Sequence, residues 1–158
     1  MSRTEPTSSE ISWLNNLLEP YIIPRVHHLG SERTSVARYD KRKAMYGGKG
    51  VVYLLQMFQE DELVNNRIGA YMVLPENGVS AGFHTHGTRK EQELYVVIHG
   101  RGLYKEKDKW ESTPRTYPVS TGSCTTVRGA AYHAVENTGD EPLIIFVITT
   151  NEPVSVSG

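Results

Sequence analysis

Gly78-Val79-Ser80-Ala81-Gly82-Phe83-His84-Thr85-His86, followed after a short polar run by Glu93-Leu94-Tyr95-Val96-Val97-Ile98-His99-Gly100, is the stretch on which the reading of this chain turns. His84 and His86 are two residues apart. On an extended strand alternate side chains share a face, so both imidazoles can point the same way. Residues 94–98 are rich in β-branched and aromatic side chains and read as a strand. Gly87 and the polar Thr88-Arg89-Lys90 read as the connecting turn. Two strands joined by so short a loop are expected to pair as an antiparallel hairpin, with Glu91 or Glu93 opposite the two histidines. Two neutral imidazoles and a carboxylate facing one point are a site for a divalent metal.

A third histidine is available in Gly122-Ser123-Cys124-Thr125-Thr126-Val127-Arg128-Gly129-Ala130-Ala131-Tyr132-His133-Ala134-Val135-Glu136-Asn137, another Gly-punctuated strand, turn and strand. Together the two segments resemble the paired motifs of the cupin family. Gly78, His84, His86, Glu93 and Gly100 fill the first motif, with six residues between His86 and Glu93 where the family has three or four. Gly122, His133 and Asn137 keep the overall spacing of the second, with Arg128 where a proline is expected and Gly129 one place early. The resemblance covers roughly residues 50–150. It implies an all-β fold, a single jelly-roll type cupin β-barrel, here with a short N-terminal helix and extension. It also implies one divalent metal ion per chain, held by His84, His86, Glu93 and His133. Glu91 keeps the spacing from His86 and Glu93 the spacing to Gly100. Extra residues are more easily absorbed in a loop than in a paired strand, which favours Glu93, with Glu91 the alternative.

The remaining chain divides into an N-terminal extension at 1–48, the barrel at 49–150 and a loose tail at 151–158. Residues 1–8 read as a disordered lead. Ser8 or Ser9 can cap a helix over 10–18, whose Ile11, Leu14, Leu17 and Leu18 share a side, and Pro20 and Pro24 end it. His27-His28 read as a surface pair. Arg38, Lys41, Arg42 and Lys43 read as a solvated loop, or else as a site for a substrate carboxylate. Strands are expected at 51–58, 67–74 and 143–149, with a proline-punctuated connection at 110–118. Short strands with Gly/Pro turns at this spacing argue a sandwich or barrel independently of the motifs. Tyr71 or Met72 points inward, depending on register. Tyr95 reads as interior wall, His99 as surface and Cys124 as buried core.

Net charge is -1, so the molecule as a whole offers no attraction to nucleic acid or acidic membrane. No apolar stretch approaches the ~20 residues of a membrane span. One cysteine makes no intrachain disulfide, and residues 1–10 lack the apolar run of a signal peptide. The expected location is the cytoplasm. Expected partners are a small-molecule substrate and a second copy of the chain, a homodimer covering exposed strand edges. Tyr71, Tyr132 and Arg128 are candidate catalytic groups, for proton transfer or substrate anchoring. The functional reading is a metal-dependent enzyme on a small organic metabolite, first an Fe(II)-type dioxygenase. The alternatives are a non-redox isomerase, cyclase or lyase using Zn, Ni or Mn, and a non-catalytic metal or small-molecule binder.

Overall fold

The structure, a computed structural model, describes residues 2–63 and 68–151. Arg67, expected to open a strand, and most of the expected tail lie outside the described residues. The elements in chain order are β1 (Ser2–Thr4), α1 (Ser8–Leu18), β2 (Val26–His28), β3 (Ser31–Arg33), β4 (Arg38–Lys43), β5 (Val51–Gln56), β6 (Gly69–Leu74), β7 (Ser80–Thr85), β8 (Glu91–His99), β9 (Arg101–Lys107), β10 (Arg115–Ser120), β11 (Cys124–Val127), β12 (Tyr132–Asn137) and β13 (Leu143–Asn151).

Continuous apolar runs explain the layering. Val51-Val52-Tyr53-Leu54-Leu55 and Leu143-Ile144-Ile145 do not alternate with polar residues, so both faces of their sheet must be covered. They lie centrally in an antiparallel sheet of order β1-β4-β5-β6-β13-β8-β11, which faces a smaller sheet of order β10-β9-β12-β7. Val52, Leu54, Met72, Leu74, Leu143, Ile145 and Val147 from the large sheet meet Ala81, Tyr104, Val119 and Val135 from the small one in the barrel core. The opposite face of the large sheet carries Tyr53, Leu55, Val73 and Ile144, and Leu14 and Leu18 of α1 cover it, with Ile22 and Val26. Fully burying each such large side chain is worth ~1.5–3 kcal/mol.

Several expectations change. Residues 2–4 are not a loose lead: they form an edge strand on β4, with Arg3 opposite Arg42. The helix is capped by Thr7, not Ser8 or Ser9. Thr7 Oγ1 accepts from the Glu10 backbone N–H, and the Glu10 carboxylate accepts from that of Thr7. This capping box satisfies two N-terminal donors. The basic run at 38–43 is a strand, β4, not a solvated loop; because it pairs with β5, the expected boundary near residue 48 falls between neighbours in one sheet. The connection at 110–118 includes the start of β10, an edge strand, where Pro118 lacks only an N–H that the ladder can spare. Cys124 is exposed rather than buried, since β11 is the short outer strand of its sheet.

The largest correction concerns the expected hairpin. β7 and β8 do not pair. β7 pairs with β12 in the small sheet, and β8 with β13 and β11 in the large one. The short connection therefore crosses between sheets. It turns at 87–89, with Lys90 in the left-handed region at φ 53. Gly87 presses so closely on the Gly129 carbonyl that a Cβ there would lie 2.4 Å from its oxygen.

Candidate metal centre

β7 carries His84 and delivers His86 one residue past its end; β12 carries His133; β8 carries Glu93. The two sheets thus face each other across the four side chains. β7 is bulged: two steps along β12, His133 to Val135, match three along β7, His84 to Ala81. The extra residue lets Ala81 and His84 both face the interior, which strict alternation would forbid.

Ligating atoms of His84, His86, Glu93 and His133 lie within 4.8 Å of one another, and all four residues are buried. The Nε2 of His133 is 3.0 Å from that of His84 and 3.3 Å from that of His86. Glu93 Oε1 lies 3.2 Å from His86 Nε2, 3.3 Å from His133 Nε2 and 4.0 Å from His84 Nε2. Glu91 faces the same side of β8, with Oε2 3.8 Å from the other nitrogen of His86. Glu93 is therefore the acid within the cluster and Glu91 a neighbour.

Two of the remaining ring nitrogens are anchored. His84 Nδ1 lies 2.8 Å from the Gly82 carbonyl, to which it donates, and His133 Nδ1 lies 3.0 Å from the Tyr104 hydroxyl. With the proton on Nδ1, each Nε2 presents a lone pair to the centre. Burial, with the neighbouring His133, pushes His84 down to about 3, and burial also lowers His133. Burial alone would raise Glu93, but hydrogen bonds and charge from His133 and His86 override it and hold the carboxyl well below its usual range. Burial raises Tyr104 to about 12 and drives Tyr95 up as well, so both keep their protons.

These residues fit a divalent ion. Lone pairs of neutral imidazoles facing each other at 3.0 Å repel unless a cation lies between them. Metal–nitrogen bonds of ~2.1 Å separate adjacent ligands in an octahedral set by ~3.0 Å, close to the spacing seen. The donors, three imidazoles and one carboxylate, suit Fe, Zn, Ni or Mn without choosing among them.

Tyr46 stacks on His84 with ring centroids 3.9 Å apart and planes 14° from parallel. It does so from a backbone at φ 51, ψ 36, a left-handed conformation costing ~1–2 kcal/mol. The turn holding it lies directly on β7: a Cβ on Gly82 would come 2.2 Å from the Tyr46 carbonyl oxygen, and one on Gly48 2.1 Å from that of Ser80. Tyr95 stacks on His133 at 4.9 Å and is interior wall as expected.

The other expected residues are elsewhere. Tyr71 faces the helix side of its sheet, edge-on to Phe146, and Met72 is the inward residue. Tyr132 has the opposite orientation to its neighbour His133 and packs against Trp110. Arg128 is exposed beyond β11. None of the three joins the cluster. His99 stacks on Tyr21 and pairs with Glu141, and His27-His28 form a hairpin strand with His27 exposed. Sequence reasoning missed Tyr46 and Tyr104. Gly47-Gly48 hints at close approach in that turn, but nothing local points to its partner. Tyr104 could be placed inside by alternation from Gly102, though not on His133.

No helix among the described residues is long and apolar enough to cross a membrane. A search of curated proteins finds no significant match. Solved structures share the architecture. A predicted oxalate decarboxylase from Thermotoga maritima matches at 24% identity and TM-score 0.63, over 72% of this chain and 92% of that one. A Cupin 2 conserved barrel domain protein from Salinispora arenicola matches at 19% and 0.51, over 63% and 76%. The plu4264 protein from Photorhabdus luminescens matches at 20% and 0.51, over 64% and 76%. At these identities the likeness shows the fold alone. A family model described as "Cupin domain" matches residues 70–149, a little over half of the chain, and spans every residue of the buried cluster. With two facing sheets and three histidines and a glutamate converging between them, this chain belongs to the cupin family.

Proposed function

We propose that this chain is a metal-dependent enzyme acting on a small organic molecule, with an Fe(II)-type oxygenase as the reading its pocket supports best. The observation that carries it is the buried three-histidine, one-glutamate cluster lining a cavity of about 720 Å³. His84, His86, Glu93 and His133 would hold the ion, and a redox ion there would supply dioxygen chemistry. The chain's own groups do the rest. Met45, Leu54, Met72 and Val147 give the cavity one apolar wall. Tyr104 and the Gly82 carbonyl fix two of the imidazoles. Tyr95 and Tyr104 hold their protons too tightly to serve as general bases near neutral pH, which suits a reaction needing little proton shuttling.

A second reading, a non-redox isomerase, cyclase or lyase, draws on Glu91. This second carboxylate beside His86 lines the same cavity and is a group able to take a substrate proton. Elemental analysis of the purified protein, followed by oxygen-electrode assays on Fe(II)-reconstituted samples with candidate metabolites, separates the two. Iron with Fe(II)-dependent oxygen uptake supports the first. Bound zinc or nickel and no uptake supports the second. Absence of any retained metal removes both. His84→Ala and His133→Ala should each lose most bound metal while circular dichroism still reports a folded β protein.

A further inference from the structure

On the large sheet, β1 and β4 present Arg3, Arg38, Asp40 and Arg42 to the same side as Leu54 and Gln56 of β5. Their cross-strand partners show it: Arg38 stands opposite Gln56, Asp40 opposite Leu54, Arg42 opposite Val52 and Arg3 opposite Arg42. Arg3, Arg38 and Arg42 line the cavity that also contains His84, His86 and Glu93. Arg89 lines it too. Of the three arginines on β1 and β4, two are engaged. Asp40, 3% exposed, accepts from Arg3 at 3.2 Å and from Arg38 at 3.2 Å. Arg42 is different. Its Nε is buried and meets no hydrogen-bond partner among the described residues. It also faces Arg3 directly across the strand pair, an arrangement of like charges that is unfavourable by itself. The acids of the cavity lie elsewhere: Glu93 in the cluster, Glu91 beside His86, and Glu60 exposed in the turn at 60–62.

A buried guanidinium nitrogen with no partner among the described residues, opposite a second arginine and in the same cavity as the histidine cluster, is suited to receive an anion. We propose that the cavity takes a small organic acid whose carboxylate is held by the Arg42 fork, with the rest of the molecule reaching the cluster. Arg suits this task because its planar fork matches both carboxylate oxygens. The donor comes from the N-terminal extension, so the extension contributes to substrate choice as well as to the sheet. The proposal deepens the functional reading above and rests on it for the metal, though the anion site stands on Arg42 alone.

The test is calorimetric titration of the full chain with succinate and with glutarate, with and without saturating Mn(II), whose binding is followed separately by electron paramagnetic resonance. At least one diacid should bind the Mn(II)-loaded chain, more weakly as KCl rises and more weakly as its monomethyl ester. Arg42→Gln should weaken it about tenfold or more, without changing Mn(II) affinity. Arg42→Lys, which keeps the charge and loses the fork, should fall between the two and carries the test if Arg42→Gln fails to fold. Mn(II) binding with diacid affinity unchanged by both substitutions, or no diacid binding at all, overturns the proposal. If the wild-type chain takes up no Mn(II) yet binds diacid in an Arg42-dependent way, the metal reading falls and the anion site remains.

Discussion

At the scale of single residues, the ligands of this centre are set by their supports. His133 is held on one side by the Tyr104 hydroxyl and on a face by the Tyr95 ring. Tyr104→Phe keeps the volume and removes the one group that fixes the proton on Nδ1. It should weaken metal binding by ~10–100-fold, with the melting curve of the metal-free protein close to wild type, as measured by competition titration with a chelator. Unchanged affinity would mean that packing, not the hydroxyl, orients the ring. His84 and His86 are recognisable from the chain because spacing on a strand predicts a shared face, His133 because its segment resembles the family's second motif, and Glu93 because strand register resists insertion. Tyr46 was not recognisable, because its stacking on His84 depends on a turn about forty residues away lying flat on a bulge.

At the scale of elements, α1 is tied to the sheet by a few polar contacts above an apolar face. Glu10 accepts from the Thr7 backbone N–H at 2.7 Å, pairs with Lys41 of β4 and lies 3.2 Å from the Tyr53 hydroxyl. The Lys41 hydrogen bond first, then that of Thr7, lowers its carboxyl from 4.5 to about 2. A depressed carboxyl stabilises the fold above its ordinary pKa, and the contribution disappears as pH falls through the folded value. Glu10→Gln should therefore melt at a lower temperature than wild type at pH 5 and above. The gap should close as pH drops from 4.5 towards about 2, a comparison made by thermal scans across that range. A gap that persists at pH 2 would show that geometry rather than charge is responsible. The helix itself is legible from the spacing of Leu14 and Leu18, but its cap is Thr7, one or two residues before the expected Ser8 or Ser9. The basic strand β4 is not legible as a strand, since its run of charged residues leaves no apolar alternation to find.

At the scale of the whole molecule, the large sheet separates two cores with different tasks. The inner one surrounds the cluster of three histidines and Glu93, and the outer one joins α1 to the barrel. Leu14 is fully buried in the outer core. Leu14→Ala should cost ~2–5 kcal/mol of stability in denaturant melts, in line with other large-to-small core changes. Metal affinity of the folded fraction should stay near wild type, because no residue of the cluster belongs to that core. A parallel loss of metal affinity would show the two cores to be coupled through the sheet.

The amino-acid sequence by itself determined the β class, the family and the identity of the clustered residues, because strand periodicity and motif spacing are local and survive without knowledge of contacts. Tertiary structure alone decided that β7 and β8 belong to opposite sheets, that Tyr71, Tyr132 and Arg128 stand away from the cluster, and that Arg42 shares its cavity. Those outcomes follow from strand pairings between residues far apart in the chain, and from one bulge that shifts the face of every side chain beyond it.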